Sequence, residues 1–500
     1  MWLLDELAKL KDSNRLAIRQ REDAVSFKEL WNRSEALSAF LLENNVDHKP
    51  IVIYGDKEID FVAVMHAALK TGVAYVPVDI SYPVQRLMKI VDQVESDIIV
   101  NFSKLEVEIN GSAVIDKCDV NDIYSSYADA VSHCDNWVKE DDICYILFTS
   151  GSTGEPKGVP ISKGNLLNFT DWFLSFCKVK YDEYYAINQV SYSFDVSDIC
   201  LYIYLPLGIC LLNIDRKMAR DMRLLFPYLT KYQAGVWIST SSFLELCIFD
   251  KHFDRVLMPK LDVVILAGEV LTKNLSSTIF ERFEGVKLVN GYGPTEATVL
   301  LTACYITEEM LHDTKSLPIG EILSDGKANI VSEYIGENGE EIGELQVASR
   351  SVARGYYKND RLTKERFYEN EDGVMGYKTG DLVYEDNGLI YYVGRKDFQI
   401  KLHGLRIELN DIESNLNKLA YISGSVVLPV YKDGKPDYLA AFVTLNEEQS
   451  ESAIRFAMRV KNDLKEMIPV YMVPKKVTVV QEFPLNVNGK IDRKKLLEDC

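Results

Sequence analysis

Apolar residues in the first 300 positions form short continuous runs, separated by stretches with helical periodicity. The runs with the length and composition of buried strands are residues 51–54, 74–78, 98–101, 143–148, 235–239, 263–267 and 287–290. Residues 26–43 and 60–70 repeat apolar positions at helical spacing, and Ser26 with Glu29 forms a capping-box pair. This alternation predicts an α/β fold: a large N-terminal domain of sheets sandwiched by helices.

The pattern changes after about residue 318. Short strands separated by Gly, Asn and Asp turns, at 328–332, 344–348 and 388–393, predict a small β subdomain. The remaining segment is predicted to be mixed, with helices at 409–418 and 452–467 and strands at 425–430 and 437–445. It carries 17 Lys and Arg against 15 Asp and Glu, whereas the 500-residue chain has a net charge of −19. We therefore expect two domains, residues 1–394 and a small α+β domain over 395–500, with a hinge near Asp397.

Charge and cysteine usage exclude some classes of protein. A net charge of −19 argues against nucleic acid or an anionic membrane surface as the main partner. The nine cysteines are odd in number and contain no C-x-x-C pair, which favours a reducing cytoplasm over a disulfide framework. No basic leader opens the chain, so no signal peptide is expected. The longest uncharged run, 199–214, is too short for a membrane span and is interpreted as a buried helix that runs into a strand.

The segment with the strongest chemical signal is residues 147–158, LFTSGSTGEPKG. A buried strand leads into hydroxyls and glycines that end at a lysine, a combination that lets backbone N–H groups, hydroxyls and one charge converge on an anion. It is not the mononucleotide motif, because Gly158 rather than Ser or Thr follows Lys157. The segment predicts a phosphate-binding loop; a mobile Ser/Gly linker is the alternative.

Three further segments contain candidate chemical residues, but each is a weaker signal alone than the three are together. Residues 290–296, NGYGPTE, follow an apolar strand and present an aromatic ring, a hydroxyl and a carboxylate from one tight turn; a turn with a capping Thr and Glu is the alternative. Asp381 lies in YKTGD, where a carboxylate suits a ribose diol but could equally be a turn residue. Lys490, in PLNVNGKID, taken alone is more simply one solvated lysine.

Taken in order, these segments resemble the adenylate-forming superfamily, which comprises amino-acid adenylation enzymes, acyl-CoA synthetases and luciferases. The resemblance covers essentially the whole chain, since KTGVAYVPVD at 70–79, GEL at 343–345, RGY at 354–356 and GRKDFQIKLHGLRIE at 394–408 also match. It implies that residues 395–500 are a mobile lid. It also implies two half-reactions, in which a carboxylate attacks the α-phosphate of ATP and a thiol then takes the acyl group.

The resemblance assigns the nucleotide roles residue by residue. Pyrophosphate contacts are expected from Thr149, Ser150, Thr153 and Lys157, the α-phosphate contact from Thr295, Mg²⁺ ligation from Glu296, adenine stacking from Tyr292, a contact with ATP from Asn290 in the same loop, and ribose binding from Asp381 and Arg395. Lys490 is expected to bridge the substrate carboxylate and the α-phosphate in the transition state. ATP and Mg²⁺ are the expected cofactors.

The acid to be activated is indicated by SFDVS at 193–197, where amino-acid-activating members place an aspartate that pairs with the substrate ammonium. Asp195 fills that position, although an aspartate after an aromatic residue is usually a helix N-cap. The other pocket positions, by motif matching, are apolar: Val196, Ile199, Ile265, Ala267, Gly291, Val299 and Leu300. A small or medium neutral amino acid is therefore expected, since a charged side chain would be buried without a partner.

SFDVS at 193–197, WISTSSF at 237–243 and GEVL at 268–271 resemble the D-alanine–D-alanyl carrier protein ligases within the superfamily. A stand-alone peptide-synthetase adenylation enzyme is the other close resemblance. D-Alanine is the leading expectation, but these ligases usually have a cysteine where this chain has Ala267, so another neutral amino acid is open. The expected acceptor is the phosphopantetheine thiol of a separate acidic carrier protein, or coenzyme A. The rivals are an acyl-CoA synthetase acting on a non-amino acid and a catalytically silent nucleotide-binding protein.

Overall fold

The structure, a computed structural model, describes residues 1–103, 109, 111–150, 155–178, 185–336, 339–397, 399–432, 435–446, 451–484, 491 and 493–498. Its strands are β1 Leu16–Gln20, β2 Asp23–Ser26, β3 Ile51–Gly55, β4 Tyr75–Asp79, β5 Ile98–Asn101, β6 Ala113–Ile115, β7 Ile143–Thr149, β8 Lys157–Ser162, β9 Tyr185–Asn188, β10 Cys210–Asn213, β11 Val236–Ser239, β12 Val263–Ala267, β13 Lys287–Tyr292, β14 Thr302–Ile306, β15 Glu321–Ile322, β16 Lys327–Ile335, β17 Glu341–Ala348, β18 Phe367–Glu369, β19 Met375–Asp386, β20 Leu389–Arg395, β21 Gln399–Leu402, β22 Leu405–Glu408, β23 Ile422–Lys432, β24 Lys435–Leu445 and β25 Lys476–Val479.

The helices alternate with these strands. They are α1 Leu3–Leu10, α2 Phe27–Asn44, α3 Ile59–Lys70, α4 Val84–Val94, α5 Lys117–Ser126, α6 Lys163–Phe176, α7 Arg216–Ala219, α8 Met222–Tyr232, α9 Ser241–Ile248, α10 Lys273–Arg282, α11 Glu308–His312, α12 Asp360–Arg366, α13 Leu409–Leu416, α14 Ala453–Lys465 and α15 Arg493–Glu498. In the part of the chain described here, no helix combines the length and apolarity that crossing a bilayer requires.

The chain divides into two compact units. The first comprises Met1–Asp79, Val94–Phe148 and Gly158–Lys396, and the second comprises Ile80–Gln93, Thr149–Lys157 and Asp397–Cys500. The second unit thus includes two short segments from the N-terminal part of the sequence. The predicted first domain, residues 1–394, was continuous in sequence, so the prediction did not include these two segments in the second unit.

The first unit contains three sheets. Nine strands follow the order β15-β14-β13-β12-β11-β9-β10-β1-β2, and six follow the order β6-β5-β3-β4-β7-β8. The strands in their middles pair in parallel, and β3, β4 and β12 are buried along their entire length because helices cover both faces. The third sheet is antiparallel, β16-β17-β19-β18 with β20 on β19. It is the β subdomain predicted from the Gly, Asn and Asp turns.

The second unit has its own apolar core. The β21–β22 hairpin and α13 contribute to it, and the three-stranded sheet β23-β24-β25 packs with α14 around Ile412, Val443 and Phe456. A buried ion pair in this unit joins Arg86 to Asp411 at 3.2 Å. Burial raises the pKa of the Asp411 carboxyl, and the Arg86 charge opposes that rise.

The strand and helix predictions agree closely with these bounds. Residues 98–101 and 263–267 are predicted to the residue, and most other elements differ by one to three residues at an end. Ser26 caps α2 as predicted by accepting from the Glu29 backbone N–H, but the Glu29 side chain pairs with Arg33 on the next turn. Only half of the capping box therefore forms. The run at 199–214 is a π-helix, Ile199–Tyr204, followed by β10.

Candidate active site

The predicted apolar pocket positions come from two adjacent strands of the nine-stranded sheet, from the helical segment 195–204 and from the loop after β13, all in the first unit. Ala267 at the end of β12 lies opposite Gly291 on β13, and Ile265 lies two residues earlier on the same side as Ala267. The non-glycine members are all buried in the large apolar core of the first unit, namely Val196, Ile199, Ile265, Ala267, Val299 and Leu300. A Cβ added to Gly291 would lie 2.9 Å from Leu300 Cδ1, so Leu300 packs directly on that glycine. The structure thus brings Ala267, Gly291 and Leu300 together.

Asp195 begins a short 3-10 helix, Asp195–Ser197, which runs into the π-helix. The N-cap of the 3-10 helix is Phe194 and makes no side-chain capping bond, so Asp195 does not fill the ordinary capping role. Asp195 is partly exposed, whereas Asp198 three residues later is buried. Burial, and next the opposing pull of Tyr145 and the nearby Asp195 charge, leave the pKa of the Asp198 carboxyl well above its usual range. Of these two carboxylates, the partly exposed one of Asp195 is therefore the candidate for binding a cation.

The loop after β13 is held in an unusual backbone conformation. Thr298 and Val299 both have positive φ angles, 56° and 66°, in the left-handed region that β-branched residues disfavour. The Thr298 hydroxyl donates to the Ser351 carbonyl at 2.6 Å, which helps to fix the turn. A Cβ on Gly293 would lie 2.5 Å from the Val299 carbonyl oxygen, so only glycine allows this approach. Strain of this kind is maintained at sites where position matters.

Glu296 lies in the same loop and is fully buried. One of its oxygens accepts a hydrogen bond of 2.7 Å from the Tyr356 hydroxyl, which is 3.2 Å from the Tyr377 hydroxyl. No group of three or more His, Cys, Asp or Glu suited to a metal occurs among the described residues. A lone carboxylate still fits Mg²⁺, because this ion is usually held by one or two carboxylates together with substrate phosphates and water. Thr295 next to it is partly exposed.

Asp381 is buried, and both of its carboxylate oxygens accept hydrogen bonds. It is 3% exposed; Oδ2 accepts from the Tyr292 hydroxyl at 2.6 Å, and Oδ1 accepts from Arg395 at 2.9 Å. Arg395 also donates to the Thr379 carbonyl at 2.9 Å. Burial, and then the charge of Asp381, raise the pKa of the Tyr292 hydroxyl well above its usual range, so it remains a donor. The predicted adenine and ribose residues thus form one hydrogen-bonded group.

The side chain of Asn290 serves the fold. It is buried on β13, and its amide nitrogen donates to the Pro318 carbonyl at 2.7 Å. The predicted contact with ATP therefore has to come from its remaining polar atoms or from its neighbours.

The described residues of the phosphate loop belong to the second unit. Ser150 Oγ is 3.1 Å from the Arg406 carbonyl and accepts from the Glu408 N–H at 3.1 Å. Lys157 Nζ lies 3.3 Å from Glu408 Oε1, and both side chains are about one-tenth exposed. The hydroxyl of Thr149 is buried without a hydrogen-bond partner among the residues described. Thr153 and Lys490 lie outside the described residues.

Sequence reasoning missed the partners of these groups. Tyr356 stands in the RGY motif, and the sequence gives no sign that its hydroxyl reaches Glu296, 60 residues earlier. Glu408 stands in the matched segment 394–408, but its pairing with Lys157 spans 251 residues. Such contacts follow from sheet topology rather than from any local pattern.

Comparison with known proteins identifies the family of the chain. The family model described as AMP-binding enzyme matches residues 5–357, and the AMP-binding enzyme C-terminal domain matches residues 411–490. The chain belongs to the AMP-binding enzyme family. The predicted resemblance to the adenylate-forming superfamily is confirmed.

Individual relatives match over nearly the full length. The chain is 36% identical over 489 residues to the D-alanine–D-alanyl carrier protein ligase of Bacillus licheniformis, covering 97% of this chain and 96% of that protein. It is 38% identical over 479 residues to the ligase of the same name from Listeria monocytogenes, covering 94% and 93%. A crystal structure of the Vibrio cholerae adenylation domain AlmE with glycyl-adenosine-5'-phosphate superposes with a TM-score of 0.83 at 20% identity, covering 99% and 97%. The predicted fold class is confirmed.

Proposed function

We propose that this protein activates D-alanine with ATP as D-alanyl-adenylate and then transfers the D-alanyl group to the phosphopantetheine thiol of a separate carrier protein. The observation that supports this most strongly is identity of 36–38% over nearly the whole chain to ligases of that name. Apolar positions beside the Asp195 carboxylate agree with it, because D-alanine presents one ammonium group and a methyl side chain.

The first step joins one carboxylate oxygen of the amino acid to the α-phosphorus and breaks the bond from that phosphorus to the bridging oxygen, releasing pyrophosphate. No general base is required, since the carboxylate is already ionised at neutral pH. The barrier lies in bringing anions together, so positioning and electrostatic stabilisation must supply the catalysis. In the second step the thiolate attacks the acyl carbon and AMP leaves.

The residues of the first unit divide between the two substrates. Asp195 pairs with the substrate ammonium, and its apolar neighbours exclude water and larger side chains. Asp381, fixed by Tyr292 and Arg395, accepts hydrogen bonds from the ribose. Glu296, held by Tyr356, supplies the ligand for Mg²⁺, whose chemistry is to neutralise phosphate oxygens as charge develops.

The remaining roles are proposed for residues of the phosphate loop and the C-terminal segment. Thr149, Ser150, Thr153 and Lys157 bind the pyrophosphate oxygens, and Thr295 binds the α-phosphate. Lys490 supplies the cation that stabilises charge between the carboxylate and the α-phosphate. The acidic character of the carrier protein and a cytoplasmic location are parts of the same proposal.

Isotope exchange between ATP and pyrophosphate tests the proposal. The panel contains D-alanine, L-alanine, glycine, D-valine and octanoate, each with saturating Mg²⁺-ATP. We expect exchange with D-alanine to exceed exchange with every other acid. Exchange with octanoate alone would instead support the acyl-CoA synthetase rival, and AMP binding without any exchange would support the silent rival.

A further inference from the structure

A buried polar group lies next to the amino-acid pocket in the first unit and takes no direct part in the proposed mechanism. It occupies the ends of β4, β9 and β10 and the turn after β3, where both parallel sheets finish. Its members are Lys57, Pro77, Asp79, Asn188, Ser191, Tyr192, Ser193, Asn213 and Arg216. We call it the loop anchor, because it fastens residues 191–193 just before Asp195.

Three consecutive residues of that segment are each held by the six-stranded sheet. The Ser191 hydroxyl donates to Asp79 Oδ2 at 2.5 Å. The Tyr192 ring packs under the ammonium of Lys57, which is 3.7 Å from the ring centroid. The Ser193 hydroxyl donates to the Pro77 carbonyl at 3.1 Å. A loop that leaves one sheet is thus attached at three points to another.

Asp79 is itself fixed. It is 4% exposed, and its other oxygen, Oδ1, accepts from Arg216 at 2.6 Å. The Tyr192 hydroxyl is fixed in the same way, by amide hydrogen bonds of 3.2 Å from Asn188 and from Asn213. The partners of Ser191 and Tyr192 are therefore residues at the ends of strands: Asp79 on β4, Asn188 on β9 and Asn213 on β10.

The attached residues 191–193 lie close to Asp195 in the sequence, and hydrogen bonds of the backbone order the residues between them. The Phe194 N–H donates to the Ser191 carbonyl at 3.0 Å, which closes a turn, and the Ser197 N–H donates to the Phe194 carbonyl at 3.0 Å. One residue separates Ser193 from Asp195, so any rotation of the turn is passed directly to the carboxylate.

Burying the polar groups of the loop anchor costs desolvation free energy, above all at Lys57. Lys57 is fully buried, and desolvation lowers the pKa of its ammonium to about 7. Replacing buried ionic groups by apolar side chains of similar volume is often neutral or stabilising, so stability alone does not account for this group. Their place beside the pocket points to a purpose in binding.

We propose that Asp79 and Ser191 are positioning residues for amino-acid recognition, which act by aiming Asp195 at the substrate ammonium. The inference rests on the proposed function, since it assumes that Asp195 binds the amino acid. It adds Asp79, at the end of β4 in the six-stranded sheet, to a pocket whose strand residues come from the nine-stranded sheet.

The test measures KM for D-alanine and KM for ATP separately by pyrophosphate exchange, each with the other substrate saturating. Ser191→Ala removes one hydroxyl from a partly exposed residue, and Asp79→Asn keeps the shape of the side chain but removes its charge. We expect each to raise KM for D-alanine about tenfold, the effect of one hydrogen bond to a charged group, and to leave KM for ATP within about twofold. Ser191→Thr keeps the hydroxyl and should restore most of the affinity.

Ser96→Ala is the matched control. Its hydroxyl is buried and donates to the Pro50 carbonyl at 2.7 Å, at the opposite end of the same sheet. This variant should lower the unfolding midpoint and leave both KM values unchanged. An active Ser191→Ala enzyme whose KM for D-alanine is unchanged would overturn the inference, as would equal rises in both KM values. A wild-type protein that exchanges with no amino acid would instead overturn the proposed function.

Discussion

Removing the Tyr292 hydroxyl tests whether the buried group around Asp381 serves the nucleotide. Tyr292→Phe keeps the ring, which is 6% exposed, and deletes the 2.6 Å hydrogen bond to Asp381 Oδ2. Asp381 is 3% exposed, so water cannot easily replace the lost donor. The variant leaves Arg395 as the partner of the other carboxylate oxygen.

The size of the effect follows from the charge of the acceptor. A hydrogen bond to a charged group contributes about 1.5–3 kcal/mol, and about 1.4 kcal/mol corresponds to a factor of ten in binding. If Asp381 binds the ribose, its loss of orientation should raise KM for ATP about tenfold or more. KM for D-alanine should change by no more than about threefold, because the apolar pocket is untouched.

The assay is pyrophosphate exchange with each substrate varied in turn, and Tyr228→Phe is the control. Tyr228 donates to the uncharged Arg19 carbonyl at 3.1 Å and packs in a different apolar cluster. Both variants lose one tyrosine hydroxyl, but only Tyr292→Phe should affect ATP. If KM for ATP stayed within twofold of wild type, Asp381 would not be the ribose residue that we propose.

Three further predictions concern substrate choice, catalysis and stability. Ala267→Cys narrows the pocket and should raise the D-alanine to D-valine ratio of kcat/KM about tenfold; an unchanged acid profile would remove Ala267 from the pocket. Lys490→Ala should nearly abolish adenylate formation but slow thioester formation from supplied D-alanyl-adenylate far less; equal losses in both steps would contradict its assignment. Glu58 has a pKa raised to about 7 by burial, so the folded state binds more protons than the unfolded state between about pH 4.5 and 7, and wild-type stability falls as pH rises through that window. Glu58→Gln should therefore gain about 3 kcal/mol relative to wild type between pH 4 and pH 8 in urea unfolding, whereas a pH-independent difference would refute the shift.

The strands and helices were predictable because the residues of each element carry the signal themselves. Strands such as β12 are continuous apolar runs, and β-branched composition identifies them without knowledge of their neighbours. The π-helix at Ile199–Tyr204 was not predictable in kind, since an apolar run does not distinguish i+4 from i+5 hydrogen bonding. The assignment of Thr149–Lys157 to the second unit was also not predictable, because it depends on contacts with residues far along the chain.

The candidate site also has a part that the sequence predicted and a part that it did not. Motifs predicted which residues carry chemistry, and the structure buries the apolar set in the core of the first unit and links Tyr292, Asp381 and Arg395. What holds these residues in place was not visible, because Tyr356 on Glu296 and Asp79 on Ser191 join positions 60 and 112 residues apart. A hydroxyl or a carboxylate that acts at such a distance looks like any surface residue in sequence.

The most direct test of the account compares D-alanine with propanoate, which differs from it only by the ammonium group. We predict that wild-type protein supports pyrophosphate exchange with D-alanine at least a hundredfold better in kcat/KM than with propanoate, and that Asp195→Asn removes most of this difference. Equal exchange with the two acids in wild type would contradict the central claim that a buried pocket selects its substrate through the Asp195 carboxylate.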